Sequence, residues 1–86
     1  MKKVAFFLEG IDQNVIPFTL DEPDDVFLKD SLEACIQAKA KKHKLKIQHV
    51  EPLSQTDNSY RVYFTKKEGS IFSRKNRTYI YYVKVL

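Results

Sequence analysis

The sequence predicts an α+β domain, with a single helix packed on an antiparallel sheet of four to five strands in the order β(β)αβββ. Three observations predict it. The chain opens and closes on short runs, residues 3–8 and 78–86, that are apolar at both alternating sets of positions. A long stretch between them repeats its apolar residues at helical spacing. Two alternating stretches, 44–50 and 60–65, follow that helix. The 86 residues predict one domain. At 43% hydrophobic and 30% charged, the composition is that of an ordinary folded chain and excludes a disordered tail. A chain this short buries only about 60% of its unfolded surface, and its one cysteine allows no internal disulfide.

Residues 3–8 form the first strand, ended by Glu9-Gly10, with Val4, Phe6 and Leu8 on one side and Ala5 and Phe7 on the other. Such a strand is central or covered on both faces. Residues 15–20 form a short edge strand or extended coil, because Pro17 lies inside them. Asp21-Glu22-Pro23-Asp24-Asp25 reads as a helix start: an Asp cap, a first-turn proline, acids at the positive end of the dipole, and Thr19 with Glu22 at capping-box spacing. The helix then runs over 22–43. Leu28, Leu32, Cys35, Ile36 and Ala40 form its apolar stripe, widened by Phe27, Ala34 and Ala38, with Asp30, Glu33, Gln37 and Lys41 opposite. Lys39, Lys41, Lys42 and Lys44 suit the negative end of its dipole.

In 44–50, Leu45 and Ile47 point inward and Lys46 and Gln48 outward. Residues 51–59, with Pro52, Asp57 and Asn58, form a loop. In 60–65, Tyr60, Val62 and Phe64 point one way and Arg61 and Tyr63 the other. The strand over 78–86 sits centrally. Between these last two strands, residues 66–77 form one long loop, or 70–73 add a strand flanked by tight turns.

Charge is unevenly placed. Residues 1–25 carry a net −4, residues 26–50 a net +4 and residues 51–86 a net +4. The sharpest cluster is 66–77, with five basic groups and one acid in 12 residues, equal in net charge to the whole chain at +4. An anionic partner, usually nucleic acid, feels such a cluster at a distance. The competing reading is a solvated turn whose lysines resist edge-to-edge aggregation.

Most other chemistry is lacking. With Gly10 and Gly69 as the only glycines, there is no phosphate-cradling loop. Cys35 sits alone on the apolar stripe and reads as a core residue. His43 and His49 have no cysteine partner and make no metal set. The acids at 21–25 read as a cap before a cation site, and the Asn76-Arg77-Thr78 sequon is discounted because nothing points to secretion. Met1-Lys2-Lys3 and five apolar residues do not make a signal peptide, and no apolar run approaches the roughly 20 residues a membrane helix needs. The expectation is a cytoplasmic protein with no cofactor, no metal and no membrane partner.

Two local stretches resemble known small domains. Residues 70–81 look like the basic hairpins of the sheet domains that open some phage-type integrases and place a sheet on DNA. Tyr60-Arg61-Val62-Tyr63 with 79–86 is similar to the strands of RelE-like ribonuclease toxins, whose helical hairpin and C-terminal catalytic residues are not evident here. Neither likeness assigns a family.

Three functions follow as expectations. The leading one is a non-enzymatic nucleic-acid-binding domain. Arg74, Lys75 and Arg77 contact phosphates, helped by Lys66 and Lys67; Phe72 or Tyr79 stacks on a base or wedges a groove; Lys41, Lys42 and Lys44 extend the track. DNA and RNA stay open. The alternative is a protein-interaction module or homodimer, for example an accessory factor of a phage or other mobile element. The remote one is a small ribonuclease using His49, Arg61, Arg77 or a tyrosine as acid or base. One helix covers one face of a sheet, so either residues 11–20 fold over the second face or that face is exposed. Packing alone also draws Tyr and Phe into strands. Aromatics and basic segment on one side of the sheet favour nucleic acid; on opposite sides they favour a protein.

Overall fold

The structure is a computed structural model that describes residues 1–53, 55, 58–70 and 72–86. The elements are β1 (Lys2–Ile11), β2 (Asn14–Val15), β3 (Asp25–Lys29), α1 (Leu32–His43), β4 (Lys46–Pro52), β5 (Ser59–Ser70) and β6 (Ser73–Val85). All strand pairs are antiparallel, in the order β2-β1-β6-β5-β4, with β3 beside β1 as a sixth strand. This is the expected α+β architecture with one more strand than expected. β6 and β1, the two-sided apolar strands, are its centre.

α1 begins about ten residues later than its spacing suggests. Asp25-Val26-Phe27-Leu28-Lys29 pairs with Lys2–Phe6 instead. β-branched and aromatic residues gain more from that pleated edge than from a helix turn. The cap is Ser31, whose Oγ accepts from the Ala34 amide at 3.1 Å. The acids read as a cap serve elsewhere. Asp24 accepts from the Leu8 amide at 2.5 Å, and Asp25 faces α1. Thr19 and Glu22 meet as a backbone turn, Glu22 N–H to Thr19 C=O at 3.2 Å.

The core lies between α1 and one sheet face. Val4 and Phe6, Val62 and Phe64, and Tyr81 and Val83 are buried against Cys35, Ile36 and Ala40. Cys35 is the small core residue expected, and burial pushes its thiol pKa up. Lys39, 1% exposed, shares this interior. Its Nζ pairs with Asp25 and stands over the Tyr81 ring at 4.5 Å. Lys42 and His43 reach the same carboxylate, His43 at 2.9 Å. Three side chains of α1 thus converge on one residue of β3 and clamp the two elements together.

Among the described residues, Phe18 covers one end of the opposite face. Phe18 folds over it with its ring 5.5 Å from Phe7 and 5.8 Å from Tyr82, and Phe7 is buried as a result. The rest of that face carries Arg61, Tyr63 and Ile80 and is the open face.

Candidate nucleic-acid interface

The basic segment is neither a long loop nor a separate strand. It prolongs β5 and β6 as a two-stranded ribbon, paired from Lys66↔Arg77 to Ser70↔Ser73. β1 leaves β6 at Tyr79 and β4 leaves β5 at Thr65, so the ribbon projects alone. Five residues a strand extend about 16 Å, within a molecule 43 Å long and 25 Å across. Of the suggested strand at 70–73, Ser70 and Ser73 are the last pair; Ile71 lies outside the described residues. In the loop expected at 51–59, β4 runs to Pro52 and β5 starts at Ser59; Asp57 is also outside them. Gly69, at φ 114°, is the next-to-last paired residue of β5, where an added Cβ would stand 2.2 Å from the Ser73 carbonyl oxygen.

Alternation divides the ribbon's side chains. Lys66, Glu68, Lys75 and Arg77 share the helix side, and Lys67, Arg74 and Asn76 the open side. Arg77 is engaged with Glu68 at 3.0 Å and Asp12 at 3.6 Å. Asp12 also exchanges backbone and side-chain bonds with Thr78, at 2.7 and 2.9 Å, which pins the β1–β2 turn to the ribbon's root. The Tyr79 hydroxyl donates to Glu68, a bond that raises the phenol pKa, and its ring packs beside the core. Tyr79 thus lies half-buried on the helix side, its hydroxyl engaged within the ribbon. Phe72 stands at the ribbon tip, 92% exposed. Among the described residues, Lys66, Lys67, Arg74 and Lys75 have no carboxylate partner.

The helix-end lysines divide too. Lys42 turns to Asp25 and Phe27, away from the ribbon. Lys41 is exposed on the last helical turn. Lys44 caps α1 in the left-handed conformation, φ 56°, and turns the chain into β4. That turn brings Lys44 and Lys46 to Lys66 and Lys67. With Leu45, Thr65 and Asn76 they line an open groove of about 500 Å³ that, among the described residues, holds four lysines and no carboxylate.

Beside this groove the open face carries an arrangement that alternation alone hides. A bulge at Gln48 lets Ile47 face Phe64 on the helix side while His49 faces Tyr63 on the open side. Their rings lie 5.8 Å apart at 36°. Glu51 stands 3.9 Å from both His49 Nε2 and Arg61 Nη1. Arg61 also pairs with Glu9, which raises the guanidinium pKa. Gln48, His49, Glu51 and Tyr63 line a shallow cleft of about 280 Å³. Tyr63 and Arg61 also border a second cleft of about 330 Å³, with Glu9, Gly10, Asp12 and Ile80. Of the acid–base candidates, His49 and Arg61 thus share the open face, while Arg77 lies on the helix side.

Among the described residues, no helix is long and apolar enough to cross a membrane. No family model, curated protein or solved structure matches this chain.

Proposed function

We propose that this domain binds nucleic acid without cleaving it, through the lysine groove and the open side of the ribbon. The observation that carries this reading is the groove: Lys44, Lys46, Lys66 and Lys67 converge with no carboxylate among them. Like charges are held together here at a cost, which an anion relieves. Lys67 and Arg74 continue the positive track on the same side of the sheet as Tyr63. Phosphates are the anions repeated along such a track, and they give affinity without sequence preference. Arg77, Lys42 and Tyr79 drop out of the interface because their polar groups are used within the fold.

Fluorescence anisotropy with labelled oligonucleotides across a salt series tests it. Five cations on phosphates (the four lysines and Arg74) give a log affinity against log salt slope between about −3.5 and −4.5. Replacing Lys46, Lys66 and Lys67 by Ala flattens that slope by about 2 to 3. No binding at 50 mM salt, or a flat response, refutes the reading.

A second reading, self-association, is favoured by the edge strand β3. Val26 is 43% exposed and Leu28 57%, on a strand that, among the described residues, pairs with β1 alone. An antiparallel copy centred on Phe27 would set Val26 against Leu28 and Asp25 against Lys29, a self-complementary order. A chain that sediments as a monomer at every concentration excludes it.

A further inference from the structure

We infer that the His49–Tyr63 pair is a nucleobase-stacking platform, so that the partner of this domain is single-stranded nucleic acid. The inference rests on the nucleic-acid reading and deepens it. Along β5, Tyr63, Thr65 and Lys67 are successive residues of the open face. The ring pair therefore lies one step, about 7 Å, from the Thr65 wall of the lysine groove. A strand whose phosphates follow Lys46 and Lys67 brings its next base over those rings.

Three features fit a base at that point. The rings are 5.8 Å apart and tilted by 36°, so two aromatic side chains stand together on the open face. His49 is 62% exposed and belongs to no buried cluster, so packing does not account for its position. The cleft bordered by the two rings has a polar rim. Glu51 stands 3.9 Å from His49 Nε2 and Arg61 Nη1, beyond hydrogen-bond length, so its oxygens keep capacity to accept from a ligand. A carboxylate there accepts from the amino group of cytosine or adenine on the edge that faces the major groove in a duplex, where thymine offers only its O4 acceptor. Paired bases are already stacked on their neighbours and offer no free face to an aromatic pair, so duplexes are disfavoured. The platform and groove contact bases and phosphates and leave the sugar aside, so RNA and DNA strands of one sequence are bound alike.

The experiment uses the full chain and 12-nucleotide probes at 50 mM salt: oligo-dC, oligo-dT, oligo-rC and a mixed-sequence duplex of equal length. The expected order is dC and rC within about threefold of one another, both tighter than dT, with the duplex weakest. Tyr63→Leu weakens dC binding about tenfold or more and leaves the salt slope unchanged, whereas Tyr63→Phe retains it. Circular dichroism of both variants establishes that the sheet is intact. Glu51→Gln removes the preference for dC over dT. Duplex binding as tight as single-strand binding, or Tyr63→Leu and Tyr63→Phe both matching the wild type, overturns the platform and leaves the groove reading standing. No binding of any probe overturns both.

Discussion

Asp25 shows how much one side chain decides here. It closes β3 against α1 by holding Lys39, Lys42 and His43 at once. Lys39 is as buried as the phenylalanines around it, and an unpaired ammonium there would be very costly. Asp25→Ala therefore costs about 3 kcal/mol or more, read as a lowered urea midpoint, while Lys39→Met costs less because it removes the buried charge itself. Burial works against ionisation of Asp25, but the hydrogen bonds from Lys39, Lys42 and His43 outweigh it and hold the carboxyl well below the usual carboxylate range. A carboxyl that is more acidic folded than unfolded contributes stability above its unfolded pKa of about 4 and loses it as pH falls from there. Urea titrations at pH 7, 4 and 3 should show that loss in the wild type and a flatter acid limb in Asp25→Asn. An equally steep limb in the variant would assign acid lability to other carboxylates.

At the level of elements, the ribbon is held by its own ladder and by contacts at its root, with no core beneath it. Gly69→Ala places a methyl group against the Ser73 carbonyl at a backbone angle that an L side chain avoids. The cost, about 1–3 kcal/mol, falls on the ribbon. Amides of 66–70 and 73–77 should exchange faster while those of Phe6 and Val83 keep their protection, and affinity for an oligonucleotide should fall. Uniformly faster exchange would mean that ribbon and core unfold together. How far these elements were legible follows from what each depends on. Strands β1, β5 and β6 declare themselves because both or alternate positions are apolar. The first half of the expected helix misleads, since Phe27 and Leu28 sit at helical spacing from Leu32 by coincidence and long-range pairing with β1 decides the matter. The lysines of the interface are visible as charge, but their grouping depends on the left-handed turn at Lys44. The His49–Tyr63 pair depends on the bulge at Gln48, which shifts the phase of alternation without changing composition. Charged residues outside the core, such as Arg77 and Lys42, show in sequence as cations and only in the fold as ion-paired ones.

For the whole molecule, the segregation of charge along the chain resolves into pairs across it. Glu9, Asp12 and Asp25, from the acidic first quarter, meet Arg61, Arg77, Lys39 and Lys42 from the basic remainder. What is left over defines the surface. At the β3 edge the remainder is apolar, and the concentration dependence of mass tests it. If β3 edges pair, analytical ultracentrifugation resolves a dimer that Leu28→Lys abolishes without loss of helical signal. A dimer that survives this change must use another surface. The two proposed surfaces lie apart, on the β3 edge and around β4 and β5, so one molecule can carry both.

The long axis gives the leftover charge a further meaning. Cations gather at the groove and outward along the ribbon, while the end holding Lys2, Lys29, Lys84, Asp30 and Glu33 carries both signs. An elongated body charged in this way has an electric dipole along its length, and the field of an approaching polyanion exerts a torque on it before any contact forms. If the proposed nucleic-acid reading holds, the molecule would arrive tip first, already turned with groove and platform toward the strand. Dissolved salt would act mainly by weakening that alignment, slowing the encounter far more than it hastens the departure.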